Sequence, residues 1–149
     1  YVVDDALDIV VEADGGGRDR VASSISLTLG VHLEELALLG TADLDGTGTA
    51  LGNRLTGNAG ANRLRGLDGD DRIEGGAGDD ILEGGLGRDV LRGGDGRDAF
   101  VFVSTADSPS RAASDSIRDF VSGQDAIDLS AIDGVAATAG FDDAFVLDD

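Results

Sequence analysis

A nine-residue repeat limits what this chain can fold into more than any other feature. From Gly48 the sequence divides into six consecutive nonamers that begin at Gly48, Gly57, Gly66, Gly75, Gly84 and Gly93. Three of them read GGAGDDILE, GGLGRDVLR and GGDGRDAFV. The eighth position is always large and apolar: Leu55, Leu64, Ile73, Leu82, Leu91 and Phe100. The sixth is Asn53, Asn62, Asp71, Asp80, Asp89 and Asp98, and the fourth is Gly in five of six, Leu51 being the exception. A flexible Gly/Asp linker has no reason to hold an apolar residue at one fixed phase, so the period marks a repeat architecture.

Each position has a physical task. Gly-Gly-x-Gly supplies residues able to take positive φ, so the chain can turn tightly with carbonyls pointing into the bend. The last three positions form a short strand whose central residue points inward. One nonamer buries nothing alone. Two make a flattened coil of 18 residues with a turn at each end, and coils stack at roughly 4.8 Å, bringing turns 18 residues apart into register. Stacked turns that each carry Asp repel unless a cation lies between them. Carboxylate and carbonyl oxygens suit a hard ion with six to eight oxygen ligands, which points to calcium rather than magnesium or zinc. The composition agrees: of 30 acidic residues, 25 are Asp and 5 are Glu, and only the one-methylene stem of Asp keeps its oxygens beside the backbone. No segment has an EF-hand loop ending in a bidentate Glu on a flanking helix.

Other chemistries are excluded by what the chain lacks. With 149 residues it is one domain in size. A net charge of −19 and the absence of Lys argue against nucleic acid as a partner and against a phosphate-binding GxxxxGK[ST] loop. There is no Cys for a disulfide or thiolate site, and no apolar run approaches the roughly 20 residues that span a bilayer. The one His, His32, sits in His-Leu-Glu-Glu-Leu, which is not HExxH, and no G-x-S-x-G occurs. The chain is expected not to be an enzyme domain, whatever its parent does. Its start at Tyr1-Val2-Val3-Asp4 and its apolar end, Ala144-Phe145-Val146-Leu147, are expected for a piece of a longer protein.

The nonamers resemble the GGxGxDxUx repeats of RTX (repeats-in-toxin) proteins. Beyond them, Ala99-Phe100-Val101-Phe102, Asp115-Ser116-Ile117-Arg118-Asp119-Phe120 and Gly123-Gln124-Asp125-Ala126-Ile127-Asp128-Leu129-Ser130 resemble the closing segment of serralysin-type C-terminal domains and are similar to the R-modules of mannuronan C5-epimerases. Val31 to Ala42 resembles the solenoid spacer between repeat blocks. The resemblance implies one calcium ion between a turn and the turn 18 residues on. Its ligands are the second and fourth carbonyls of the lower turn, the first and third of the upper, and both sixth-position Asp side chains.

Carried onto this sequence, one site takes Leu67, Gly69 and Asp71 with Gly84, Leu86 and Asp89. A second takes Gly76, Gly78 and Asp80 with Gly93, Asp95 and Asp98. A third set, Asn58, Gly60 and Asn62 with Gly75, Ala77 and Asp80, has an amide for one carboxylate. So does a fourth, Thr49, Leu51 and Asn53 with Gly66, Asp68 and Asp71. In both, the alternative is an ion-free turn closed by Asn hydrogen bonds. Asp119 and Asp125 either close a last site, for up to five ions in all, or are solvated turn residues.

The expected fold is all-β: a right-handed parallel β-roll over residues 48–101, with a solenoid spacer over 1–47 and a closing cap over 102–149. Its core of one apolar side chain per nonamer is thin against the entropy of ordering the backbone, so calcium binding and folding are expected to be one event. The resemblance implies secretion from a Gram-negative cell by a type I apparatus, with folding in extracellular calcium. Two other readings stand beside it. One is a polysaccharide-binding (polyuronate) accessory module, for which Arg54, Arg63 and Arg72 at position seven, with Arg65 and Arg92 at position nine, would supply a basic face. The other is an adhesin spacer.

Overall fold

The computed structural model describes residues 1–108, 110 and 114–133; the expected closing segment past 133, with the apolar end at 144–147, lies outside them. Among the described residues thirteen short strands follow one another: β1 (Val2–Val3), β2 (Arg20–Ser23), β3 (Leu27–Thr28), β4 (Glu35–Leu38), β5 (Asp45–Thr47), β6 (Arg54–Thr56), β7 (Arg63–Asp68), β8 (Arg72–Ala77), β9 (Ile81–Leu86), β10 (Val90–Asp95), β11 (Ala99–Val101), β12 (Ser116–Ile117) and β13 (Ala126–Asp128). A single helical turn, α1 (Ser130–Asp133), follows. Alternate strands go to opposite sheets. One runs β1-β2-β4-β6-β8-β10-β12, the other β3-β5-β7-β9-β11-β13, and every pairing is parallel. This is the parallel β-solenoid the repeat predicts.

Its register is set by the 18-residue coil: Leu55 pairs with Ile73 and Leu64 with Leu82. The inward residues form two columns. Val21, Leu36, Leu55, Ile73, Leu91 and Ile117 stack in the first sheet; Leu64, Leu82 and Phe100 stack in the second. All of these are buried. Where β5 offers only Gly46 at a core position, Leu36, Leu38 and Leu64 crowd the space a Cβ would take. Phe120 packs on Phe100 at the upper end, ring centroids 6.2 Å apart.

The strands are longer than the repeat suggests. In β8, β9 and β10 the three strand positions continue into the first three positions of the next nonamer, giving six-residue strands. By the two-residue alternation, the first Gly of the nonamer then faces inward, and Gly66, Gly75, Gly84 and Gly93 are indeed buried.

Candidate functional site: the stacked aspartate turns

This extension gives the first Gly a different task from the one read in the sequence. Positive φ occurs at the second and fourth positions (Gly76, Gly78, Gly85, Gly87, Gly94, Gly96 and Gly69) but not at Gly66, Gly75, Gly84 or Gly93. Those four are needed for space. A Cβ on Gly66 would fall on Asp71 Oδ2, and one on Gly75, Gly84 or Gly93 on Oδ2 of Asp80, Asp89 or Asp98. The sixth-position carboxylate thus turns inward over the Gly that opens its own nonamer. Leu67 occupies a second position that is Gly in the next three repeats, and it takes φ 85° all the same.

The two oxygens of each carboxylate have different surroundings. Oδ1 accepts the amide N–H of the sixth-position residue one coil below: Asn53 N to Asp71 (2.7 Å), Asn62 N to Asp80 (2.7 Å), Asp71 N to Asp89 (2.8 Å) and Asp80 N to Asp98 (3.0 Å). Two residues beyond the repeats continue the ladders, Asp89 N donating to Asp115 Oδ1 (2.8 Å) and Asp98 N to Asp125 Oδ1 (3.1 Å). Oδ2 of Asp71, Asp80, Asp89, Asp98 and Asp115 is buried and has no hydrogen-bond partner among the described residues. Against Gly66, Oδ2 of Asp71 shares its space with the carbonyl of Gly84; against Gly75, Oδ2 of Asp80 shares it with the carbonyl of Gly93.

Oxygens facing oxygens in a buried place resist ionisation. Burial pushes the Asp71 carboxyl up to about 8, opposed by its hydrogen bond from Asn53 and reinforced by the charge of Asp89. Burial likewise raises Asp80 to about 7, Asp89 to about 6 and Asp115 to about 7, and it raises Asp98. These are carboxylates held in a form that wants either a proton or a cation.

The structure brings the members of the first two predicted sets to facing turns. Gly69 N donates to Leu86 O and Gly78 N to Asp95 O, both at 2.8 Å. The carbonyls of Leu67 and Gly69 point at Gly85 and Gly87, and those of Gly76 and Gly78 at Gly94 and Gly96. Among the described residues no three His, Cys, Asp or Glu side chains gather into a metal cluster of their own. A cation placed between turns would therefore meet main-chain carbonyls beside one or two carboxylates, an all-oxygen donor set that fits calcium and offers no nitrogen or sulfur.

The two Asn-containing sets differ in the oxygen that matters. Asn53 Oδ1 and Asn62 Oδ1 lie over Gly48 and Gly57 as the Asp Oδ2 atoms lie over theirs. Yet they accept from Thr49 N (2.6 Å) and Asn58 N (2.8 Å). Their amide groups donate downward, to Leu33 O and Leu44 O, both at 3.1 Å. In the third set the Asn58 carbonyl also accepts from Ala77 N (3.1 Å), with Gly60 O close beneath Gly78. In the fourth, Leu51 O lies beneath Gly69 and Gly66 O beside Asn53.

Of the predicted closing residues, Asp125 caps its ladder, and its second oxygen accepts from Val121 N (2.8 Å). Asp119 lies off the ladders: its oxygens accept from Gly93 N and Gly94 N, and Arg92 lies 3.7 Å away. Sequence reasoning missed Asp115 as a site residue. The signal was present: Asp115-Ser116-Ile117 has the form of Asp89-Val90-Leu91, and the two segments pair in register. An insertion between coils hid the spacing.

A parallel β-solenoid whose stacked turns present buried Asp and main-chain carbonyls fits the class of RTX-type repeat modules. Residues 6–148 match the family of peptidase M10 serralysin C-terminal domains, and the chain belongs to that family. It is the repeat-bearing C-terminal part, not the peptidase domain, and the family is generally calcium-binding. Compared with curated proteins, the chain matches none. No described helix is long and apolar enough to cross a membrane. His32 takes φ 67° and lies 3.8 Å from Asp14.

Proposed function

We propose that this chain is a calcium-dependent folding module of a secreted protein. One ion lies between the turns of Leu67, Gly69 and Asp71 and of Gly84, Leu86 and Asp89; another lies between those of Gly76, Gly78 and Asp80 and of Gly93, Asp95 and Asp98. The observation that carries the reading is the row of buried, unpartnered Oδ2 atoms beside carbonyl oxygens. Each ion removes the repulsion that otherwise opposes stacking of the turns. The Asn53 and Asn62 turns close without an ion, because their Oδ1 atoms, placed where Asp leaves Oδ2 bare, already accept from the main-chain N–H of Thr49 and Asn58.

Folding and binding are then linked, since the ligand carbonyls face one another only when coils stack. In low cytosolic calcium the chain stays unfolded and passes through a type I apparatus; extracellular calcium folds it. The test is circular dichroism during calcium titration of the purified chain, with magnesium as control. The expected result is a β signal that rises with calcium alone and is lost to chelator. A complete β spectrum in chelator at neutral pH overturns the reading.

A further inference from the structure

Position seven does not build the single basic face that the sequence suggested. Arg54 and Arg72 belong to the first sheet and Arg63 to the second, and on the first Glu35 stands in register between Arg20 and Arg54. The two turn edges of the solenoid differ more. On the edge where the chain passes from the second sheet to the first, five successive coils each carry one exposed apolar side chain: Val31, Leu51, Leu67, Leu86 and Val103. On the opposite edge the three turns between Leu39 and Val121, residues 57–62, 75–80 and 93–98, carry no exposed large apolar side chain.

Two members of the row work against the fold. Leu51 stands where the other five nonamers have Gly. Leu67, the middle of the five, holds φ 85° at a position that is Gly in the next three nonamers. It is exposed, so burial does not offset the strain. Strain kept at an exposed residue points to function rather than folding.

We infer that this edge docks an amphipathic helix of a partner protein, apolar on the docked face and basic beside it. Four coil steps of about 4.8 Å make the row roughly 19 Å long, and the two sheets set it roughly 10 Å wide. That is the footprint of one helix of about 13 residues, rising about 1.5 Å per residue and about 10–12 Å across. The edge is several-fold smaller than the roughly 800 Å² that a stable globular partner covers. Two copies of a chain of net charge −19 also repel each other. A strand has no ladder to extend here, because the turn amides are used between coils, as where Gly69 N donates to Leu86 O. On the turns of Leu67 and Leu86 the exposed charges are Asp68 and Asp70 against Arg88, which already lies 3.9 Å from Asp70. Basic side chains flanking the apolar stripe of the helix meet that acidic rim. Coil register alone sets the row, so it does not depend on which ion fills the turns.

The test uses the whole chain in calcium and a labelled peptide of about 14 residues, read by fluorescence anisotropy. The peptide is helical by design, with Leu at every third or fourth position and Lys and Arg elsewhere. It should bind, and a scrambled peptide of equal charge without the stripe should bind at least about tenfold more weakly. Leu51→Ser/Val103→Ser should weaken binding roughly tenfold or more. Leu39→Ser/Val121→Ser, of matching exposure on the opposite edge, should weaken it less than about twofold. Circular dichroism confirms that each variant is folded. Leu67→Gly should weaken binding about threefold while raising the melting temperature, a split that a purely structural role would not give. No binding, the scrambled peptide bound as tightly, or equal loss in both double variants each overturns the inference. So does a dimer of the chain alone, seen in sedimentation, that Leu51→Ser/Val103→Ser abolishes.

Discussion

Replacing Asp71 by Asn should change stability in opposite directions with and without calcium. The substitution keeps the Oδ1 that accepts from Asn53 N at 2.7 Å, and it puts an N–H₂ donor where Oδ2 meets the Gly84 carbonyl. Without metal, the variant is spared the cost of keeping the buried Asp71 carboxyl protonated. The Asp71 carboxyl is raised from 3.8 to about 8, so at pH 7 the ordinary acid would have given up its proton about three pH units earlier, at about 1.4 kcal/mol each. Solvent screening at the turn edge about halves the result, leaving a gain of about 2 kcal/mol for Asn. With calcium, the variant has one negative charge fewer at an ion, and a tenfold weaker site costs about 1.4 kcal/mol.

The assay is thermal melting followed by circular dichroism, in chelator and across a calcium series. Asp71→Asn should hold more β structure than the parent in chelator at neutral pH, and it should need more calcium to reach full stability. Destabilisation in chelator would refute the buried-charge argument. An unchanged calcium midpoint would refute the ligand role.

The pH profile without metal follows from the same groups. A folded-state value above the unfolded one means that the folded form holds extra protons, so the stability is fully present below about pH 4 and is lost as pH rises through about 6 to 8, where Asp89, Asp80, Asp115 and Asp71 ionise. Chelator-treated chain should therefore gain β structure on acidification, seen by circular dichroism; a profile flat between pH 4 and 8 contradicts this. Asp115→Ala leaves the Asp89 amide without its acceptor and should lower stability in calcium by about 1–3 kcal/mol in urea titrations. Leu67→Gly removes a side chain that is 44% exposed and strained at φ 85°, and it should stabilise by about 1 kcal/mol in the same titrations. Gly66→Ala forces a methyl onto Asp71 Oδ2 and should lower the melting temperature sharply, whereas Gly15→Ala, with nothing within 4 Å, costs only the strain of φ 81°.

Much of the molecule was written in the nonamer. A period of nine with an apolar residue at position eight forces two-sided coils of 18 residues, so the solenoid, its parallel sheets and the stacking of Leu55 on Ile73 and Leu64 on Leu82 could be read without coordinates. Asp at position six marked the turns for the same reason, since a repeated local spacing becomes a repeated spatial one.

Other properties depend on how coils meet, and that is not a local property. Which oxygen of Asp71 is bare and which is bonded follows from an amide 18 residues away. That the first Gly serves space rather than φ appears only when a strand of six residues turns it inward. Asp115 joins the ladder across an insertion that breaks the period. Arg63 parts from Arg54 and Arg72 because a repeat of nine alternates faces while a repeat of 18 does not. The sequence by itself determined the coil, because its cause lies within one nonamer. The partners of each carboxylate and the charge of each face were decided by stacking, which joins residues that the chain keeps a full coil apart.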